Sequence, residues 1–211
     1  MTASFKPQPQ QLGFDALLCA AATDNEQRKQ ERACAHLPGT MADAVPFLHA
    51  LIERHHAAML AGDAVTVERF REEAHQLAIK LNDYEPGILA DDDAPGCVLD
   101  RLTRAPEGAF PLWGQAGSFV IECASMRVRI EMDGFFGIAA RHLSWMGFSA
   151  HAVDWHAPFI SETGYRSFLG AGGALAPGFT PDTFATEIVA AYVRSELKGK
   201  LRRIARKYRL D

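Results

Sequence analysis

Two amphipathic stretches separated by one glycine are the feature that most restricts how this chain can fold. In the first, from about Ala42 to Ala61, the residues of one face follow the 3.6-residue period of an α-helix: Leu48, Leu51, Ile52, His55 and Met59. In the second, which runs to about Asn82, the same period is followed by Val67, Phe70, Ala74, Leu77, Ala78 and Leu81. Gly62 can end the first helix and Asp63 can cap the second, so the sequence predicts an antiparallel helix pair packed stripe against stripe.

Elements of other kinds flank this pair. A further helix is predicted from Phe14 to about Ala35, whereas the Pro, Gly and Asp residues between Asp83 and Gly117 predict a long loop region. Alternating residues then predict strands over Ser118–Cys123 and Met126–Met132, joined by a turn at Ala124-Ser125. Residues 135–146 suit either a short helix or a third strand, and residues 147–155 suit another strand.

The C-terminal part carries a helix entry signal and a long apolar stripe. Thr180 is a suitable N-cap, Pro181 suits the first helical position, and Asp182 falls in the first turn. The stripe consists of Phe184, Ile188, Tyr192, Val193, Leu197, Leu201, Ile204 and Tyr208. A long final helix is therefore predicted, with a bend or an end at Gly199, which costs about 1 kcal/mol relative to alanine.

These elements predict an α+β protein with a mainly helical N-terminal half, a small antiparallel sheet and a long C-terminal helix. The predicted organisation is a flexible tail over residues 1–12, a helical subdomain over 13–82, a loop-rich connector over 83–116 and an α+β subdomain over 117–211. A single domain over residues 13–211 is the alternative.

Composition narrows the class of protein. The 211 residues are 48% hydrophobic and 23% charged, which excludes collagen-like and disordered chains. The four cysteines form no C-x-x-C pair and predict reduced thiols in a cytoplasmic protein. The longest apolar run, Ala16–Ala22, is far below the roughly 20 residues that cross a bilayer, so no membrane partner is expected.

Charge is distributed unevenly along the chain. Seven basic residues and no acidic one lie between Lys198 and Arg209: Lys198, Lys200, Arg202, Arg203, Arg206, Lys207 and Arg209. The rest of the chain has 15 basic against 26 acidic residues, or −11. This predicts either contact with a polyanion, in which Arg202, Arg203, Arg206 and Lys207 bind nucleic acid, or attraction between the basic segment and the acidic body.

Several familiar chemistries are absent from the sequence. Two Glu-x-x-His pairs, Glu53 with His56 and Glu72 with His75, have the spacing of di-iron ligands, but the glutamates lie about 140° and 180° from the apolar stripes and should face solvent. The glycine-rich stretch 170–178 follows no strand and precedes no Lys-Ser/Thr pair, so it predicts a connector. No G-x-S-x-G, H-E-x-x-H or P-loop motif is present.

Residues 142–168 concentrate polar, aromatic and glycine residues and are the candidate site for an enzyme. His151, Asp154 and His156 have the donor types of a divalent-metal site, although on a strand His151 would point away from the other two. Glu162 would supply a fourth ligand or, with His156, the catalytic acid and base. No particular cofactor is indicated.

The stretch around Arg166 has two interpretations. In one, the Arg166 guanidinium binds a carboxylate or phosphate through two hydrogen bonds, beside an aromatic wall of Tyr165 and Trp155. In the other, Ser161–Ser167 is a polar turn whose side chains form hydrogen bonds with local backbone groups. Residues 159–168, read with Thr180-Pro181-Asp182, resemble a stretch found in uncharacterised bacterial proteins, some of them carried on mobile elements. The resemblance implies a DNA-related or accessory role.

Three functional hypotheses follow. The first is a non-enzymatic binding protein whose basic C-terminal helix contacts nucleic acid or an acidic protein surface. The second is a small enzyme, metal-assisted or not, with its pocket between His142 and Arg166. The third is a structural homodimer in which the C-terminal stripe and the helix pair are buried against a second copy.

Overall fold

The computed structural model describes residues 9–136, 147–169 and 177–209. The helices are α1 (Pro9–Ala33), α2 (Met41–Ala61), α3 (Ala64–Leu81), α4 (Pro95–Leu102) and α5 (Pro181–Ser195). The strands are β1 (Gly117–Cys123), β2 (Met126–Met132), β3 (Phe148–Ala152), β4 (Pro158–Phe159), β5 (Tyr165–Phe168) and β6 (Arg202–Arg203). A short 3-10 helix over Arg206–Tyr208 follows β6. The predicted α+β class is confirmed.

The predicted antiparallel helix pair is α2 and α3. Thr40 caps α2, because its hydroxyl accepts a hydrogen bond from the amide of Asp43. Gly62 ends the helix with φ 71°, a left-handed conformation that glycine adopts without steric cost, and the Asp63 side chain caps α3 by accepting from the Thr66 amide. Leu48, Leu51 and Leu77 are completely buried, so the apolar stripes of the pair are covered by the chain's own core.

Helix α1 confirms the helix predicted near the N-terminus and begins at Pro9, so residues 9–12 of the predicted tail are helical. Residues 1–8 of that tail lie outside the described residues. Between positions 15 and 33 nearly every side chain of α1 is exposed, including 69% of Leu17 and 54% of Leu18. This helix therefore adds little to the buried core.

The region predicted as a long loop contains the short helix α4. Its residue Leu99 is completely buried, and α4 packs against both α2 and α3. Pro95 stands in the first turn, where a missing amide proton costs nothing. A helix of two turns is too short for its period to be visible among the surrounding proline and glycine residues.

The main sheet has the strand order β1-β2-β3-β5, and each neighbouring pair is antiparallel. The predicted β1–β2 hairpin turns at Ala124 and Ser125, which both have positive φ (48° and 66°), as a type I′ turn requires. The strand predicted at residues 147–155 is β3. Of the element predicted at 135–146, residues 137–146 lie outside the described residues, as do residues 170–176 of the predicted glycine-rich connector.

One face of the main sheet is packed against α5. Phe119, Ile130 and Phe148 are buried there, and the Phe148 ring lies 6.3 Å from the ring of Phe184 on α5. The other face, which we call the open face, carries polar side chains because successive strand residues point to opposite sides. Its members include Arg127, Arg129, Glu131, Ser149, His151, Tyr165 and Ser167.

The C-terminal helix is shorter than predicted. Of the two outcomes predicted at Gly199, a bend or an end, the structure has the end, because α5 stops at Ser195 and the chain then turns through Lys198 and Gly199. Both residues have positive φ (50° and 76°), and the Lys200 amide donates to the Leu197 carbonyl at 2.9 Å, as in a type I′ turn. The remaining residues of the predicted stripe lie on an extended segment and on the 3-10 helix.

Two further features bear on the class of protein. Within the three described ranges, no helix combines the length and the apolar character needed to cross a membrane. All four cysteines are free thiols, as the sequence predicts.

Candidate nucleic-acid interface

Residues 198–209, which we call the basic segment, comprise the turn at Lys198 and Gly199, the short strand β6 and the 3-10 helix over Arg206–Tyr208. Strand β6 pairs with β4 in a second, two-stranded sheet, with Pro158 opposite Arg203 and Phe159 opposite Arg202. The Ala205 amide donates to the Glu162 carbonyl at 2.9 Å, which extends the contact beyond β6. The backbone of the basic segment is therefore hydrogen-bonded to the loop that precedes β5.

Buried side chains anchor the segment at its start and near its middle. Leu197, just before it, is 7% exposed, and Ile204, near its middle, is 1% exposed. The Arg209 guanidinium donates two hydrogen bonds, of 3.1 and 3.0 Å, to the Ile204 carbonyl. These contacts fix the positions of the cationic residues on either side of Ile204.

The cationic side chains face solvent and are largely without carboxylate partners. Among the described residues, Arg202 is the only cation of the segment that makes an ion pair, with Glu162 at 3.7 Å, and both side chains are more than half exposed. The Lys207 ammonium lies 4.8 Å from the centre of the exposed Tyr208 ring. Arg203, Arg206 and Lys207 extend into solvent as unneutralised charges. The prediction that these cations belong to a C-terminal helix is wrong, since α5 ends at Ser195 and the basic segment is not an α-helix.

Of the predicted metal ligands, His151 lies on β3, and Asp154 and His156 lie in the loop between β3 and β5. The Asp154 carboxylate accepts hydrogen bonds from the amides of His156 (2.9 Å) and Ala157 (3.2 Å), which is the geometry of an Asx turn. The Trp155 ring covers Gly164, where a Cβ atom would lie only 2.3 Å from the ring. Within the described part of the chain, no three His, Cys, Asp or Glu side chains are grouped to hold a metal ion, so His151, Asp154 and His156 are not brought together as a ligand set.

His151 belongs to a polar network on the open face. Its Nε2 atom lies 3.1 Å from Ser149 Oγ and 3.3 Å from Glu131 Oε2, and its ring makes an edge contact with Tyr165 at 5.0 Å between centroids. A Ser-His-acid triad needs the serine and the acid on opposite ring nitrogens. Here both contact Nε2, so the network does not have the geometry that activates a serine.

The stretch from Ser161 to Tyr165 forms a tight polar turn. The hydroxyls of Ser161 and Thr163 donate to the Tyr165 carbonyl at 2.8 and 2.9 Å. Glu162, predicted as a catalytic base, has a side chain 65% exposed and pairs with Arg202. His156, its predicted partner in acid–base chemistry, is also exposed. The geometry places Glu162 beside the basic segment, where it partly neutralises Arg202.

Arg166 lies on the other side of the sheet from Tyr165. Register pairs Arg166 with the buried Ala150, and its guanidinium stacks 3.9 Å from the centre of the Tyr192 ring on α5. Its Nε atom is buried, and no hydrogen-bond partner for it lies within the described residues. The predicted aromatic wall of Tyr165 and Trp155 is therefore replaced by Tyr192, because neighbouring residues of a strand point to opposite faces.

A buried polar cluster lies between the helix pair and the chain near residue 113. His55 Nδ1 is 2.8 Å from the Trp113 carbonyl, and Arg71 Nε donates to His55 Nε2 at 3.3 Å, which together define the neutral Nδ1–H tautomer. Burial, followed by the nearby Arg71 charge, lowers the pKa of His55 to about 4. The apolar period marked His55 as a core residue, but it gave no sign of Arg71. Glu53 and Glu72 are exposed, as the helical angles predict.

Asp100 on α4 is a second perturbed group that the sequence pattern did not mark. Burial, with the negative charge of Asp133 as a smaller cause, raises its pKa to about 7. A Cβ atom at Gly134 would approach the Asp100 carboxylate to 2.4 Å, so the absence of a side chain at Gly134 is what leaves room for it.

Fold and surface together define a small α+β protein whose most distinctive site is a rigidly held cationic edge. Two curated Escherichia coli proteins, both named Protein KlcB, are similar to this chain. One is 37% identical over 198 residues, covering 92% of this chain and 38% of that protein, and the other is 34% identical over 170 residues, covering 79% and 40%. The chain thus spans about two fifths of the length of these relatives.

The predicted resemblance to bacterial proteins is confirmed by these relatives, whereas the association with mobile elements stays a prediction. No family model matches the chain. No solved structure matches it either.

Proposed function

We propose that this protein is a non-enzymatic nucleic-acid-binding protein, located in the cytoplasm, whose basic segment contacts the phosphate backbone. The observation that supports this most is the combination of fixed backbone and unpaired charge: β6 is paired with β4, while Arg203, Arg206 and Lys207 have no carboxylate partner in the described residues. Unpaired cations of this kind favour binding to a polyanion, because binding releases the counterions condensed on the polyanion.

The alternative of attraction between the segment and the acidic body receives less support. That attraction would place carboxylates against the cations, and the Glu162–Arg202 pair at 3.7 Å is the one such contact within the described ranges. An exposed ion pair of this kind contributes only about 0–1 kcal/mol. The charge of the segment is therefore available for a partner.

Salt dependence of DNA affinity tests the proposal. Fluorescence anisotropy with a labelled oligonucleotide should give a log–log slope of about −3 to −4 if four cations each neutralise one phosphate. Replacing Arg202, Arg203, Arg206 and Lys207 by alanine should abolish binding at low salt. The matched control replaces Arg28, Lys29, Arg32 and Arg101, four exposed cations outside the segment, and removes the same charge.

Two results would contradict the proposal. One is an equal loss of affinity in both quadruple variants, which would mean that net charge and not the segment attracts DNA. The other is the absence of binding at low salt for single-stranded and duplex oligonucleotides alike. In that case, binding of an acidic protein surface becomes the explanation to examine.

A further inference from the structure

The open face of the sheet and the basic segment meet at one end of β5. Glu162, which contacts Arg202 and accepts from the Ala205 amide, stands three residues before Tyr165. The Gly164 carbonyl accepts a hydrogen bond from the Ala152 amide, which closes the β3–β5 ladder at the same end. The first residue of β5 is therefore beside the cations of the segment.

Each of the two elements carries an exposed tyrosine ring. Tyr165 is 46% exposed on the open face, and its ring is held upright by the edge contact with His151. Tyr208 is 41% exposed at the end of the basic segment, next to Lys207. Exposed tyrosine rings together with unpaired cations suit a ligand that has both negative charge and flat apolar faces.

Arginines of strand β2 add to the same surface. Arg127 and Arg129 point to the open face and are exposed, and the Arg127 carbonyl accepts from the Val153 amide near the junction. Glu131 offsets Arg129 at 3.5 Å and also contacts His151. Glu122 stands opposite Arg127 in the β1–β2 register and is exposed on the same face, so carboxylates offset both arginines and the excess of positive charge lies on the basic segment.

The geometry points to single-stranded nucleic acid as the ligand, with phosphates on the basic segment and unpaired bases stacked on Tyr165 and Tyr208. This inference rests on the proposed function and adds the class of nucleic acid. In a duplex the base faces are already stacked on one another and cannot reach a side chain, whereas an unpaired strand offers every base face. Stacking on tyrosine accepts any base, so little sequence preference is expected.

The test compares a 12-nucleotide oligothymidine with the corresponding dT·dA duplex in the same anisotropy assay. Wild-type protein should bind the single strand more tightly than the duplex. Tyr165→Ala and Tyr208→Ala should each weaken binding of the single strand about tenfold and leave duplex affinity unchanged. Tyr165→Phe and Tyr208→Phe keep a ring and should retain nearly full affinity.

Val120→Ala is the matched control, because Val120 is 42% exposed on the open face but lies on the far strand β1. It should leave both affinities unchanged, and circular dichroism verifies that each variant is folded. Equal loss for both ligands in the tyrosine variants, or tighter binding of the duplex, would overturn the inference. If the quadruple arginine and lysine variant loses binding while the tyrosine variants do not, the proposed function stands and only the single-strand inference fails; no binding by wild type overturns both.

Discussion

The helix pair α2–α3 and the basic segment both have apolar residues at helical spacing, yet only the pair is helical. In the pair the stripe is broad, and Leu48, Leu51 and Leu77 are completely buried. In the segment the stripe thins to Leu201, Ile204 and Tyr208, of which only Ile204 is fully buried and Tyr208 is 41% exposed. A spacing of three and four residues predicts a helix only where successive turns are all buried.

Charge completes the contrast. The segment has seven cations among twelve residues and no acidic residue to form i, i+4 pairs, so a continuous helix there would bring like charges together. After the turn at Lys198 and Gly199 the chain is extended, and the backbone of β6 forms hydrogen bonds with β4. The segment thus exposes its charge to solvent, whereas the pair builds the core.

The largest expected effect compares one buried residue in each region. Leu51→Ala in α2 and Ile204→Ala in the segment should each lower the free energy of unfolding by about 2–5 kcal/mol, because both side chains leave a cavity in a filled core. Urea denaturation followed by circular dichroism measures the loss. The comparison fails if Ile204→Ala changes stability no more than Leu102→Ala, whose side chain is 51% exposed, since the segment would then be loosely attached.

The sequence predicted the parts of the fold in which a local pattern and burial agree. The caps at Gly62, Asp63 and Thr180 and the β1–β2 hairpin all follow from short-range backbone chemistry. The pairing of β4 with β6 joins residues more than forty positions apart, and no local period reports such a contact. For the same reason two separate candidate sites were predicted, around Glu162 and around Arg202, and the structure brings them into contact.

Lowering the pH should affect the two regions differently: it should reduce the stability that depends on the helix pair and leave the charge of the basic segment unchanged. His55 has a pKa near 6.5 when unfolded and about 4 when folded, so the unfolded chain binds the extra proton and stability falls as pH drops from 6.5 to 4, by roughly 3 kcal/mol. Arginines of the basic segment keep their charge over this range. Urea titrations between pH 4 and 8 measure the stability. The DNA affinity of the folded protein over the same range reports whether the basic segment keeps its charge.

Ionisation of Asp100 changes stability with pH in the opposite direction. The dependence due to His55 is therefore measured in a variant that lacks the Asp100 carboxyl group. Its folded pKa of about 7 exceeds the unfolded value of 3.8, so the folded state holds the proton and stability falls as pH rises from 3.8 to 7. Asp100→Asn should therefore raise stability at pH 8 and leave the acid-side loss due to His55. His55→Gln should reduce the acid-side loss to the part contributed by His56, whose pKa is also lowered by burial, and should keep the fall toward high pH, with His156→Gln, an exposed histidine, as the neutral control. Identical pH profiles for these three variants would contradict both assignments.

The smallest expected effect concerns the N-terminal cap of α2, the first helix of the pair. The basic segment has no corresponding cap. The Thr40 hydroxyl accepts from the Asp43 amide at 3.2 Å and satisfies one of the amides that a helix start leaves without a partner. Thr40→Ala should lower the free energy of unfolding by about 1 kcal/mol, whereas Thr40→Ser keeps the acceptor and should cost only a few tenths. Thr23→Ala, inside the exposed helix α1, is the control and should be neutral or slightly stabilising, because alanine is the better helix former there. An equal loss in Thr40→Ser and Thr40→Ala would show that the hydroxyl does not cap the helix, and that the pair is specified by its buried stripes alone.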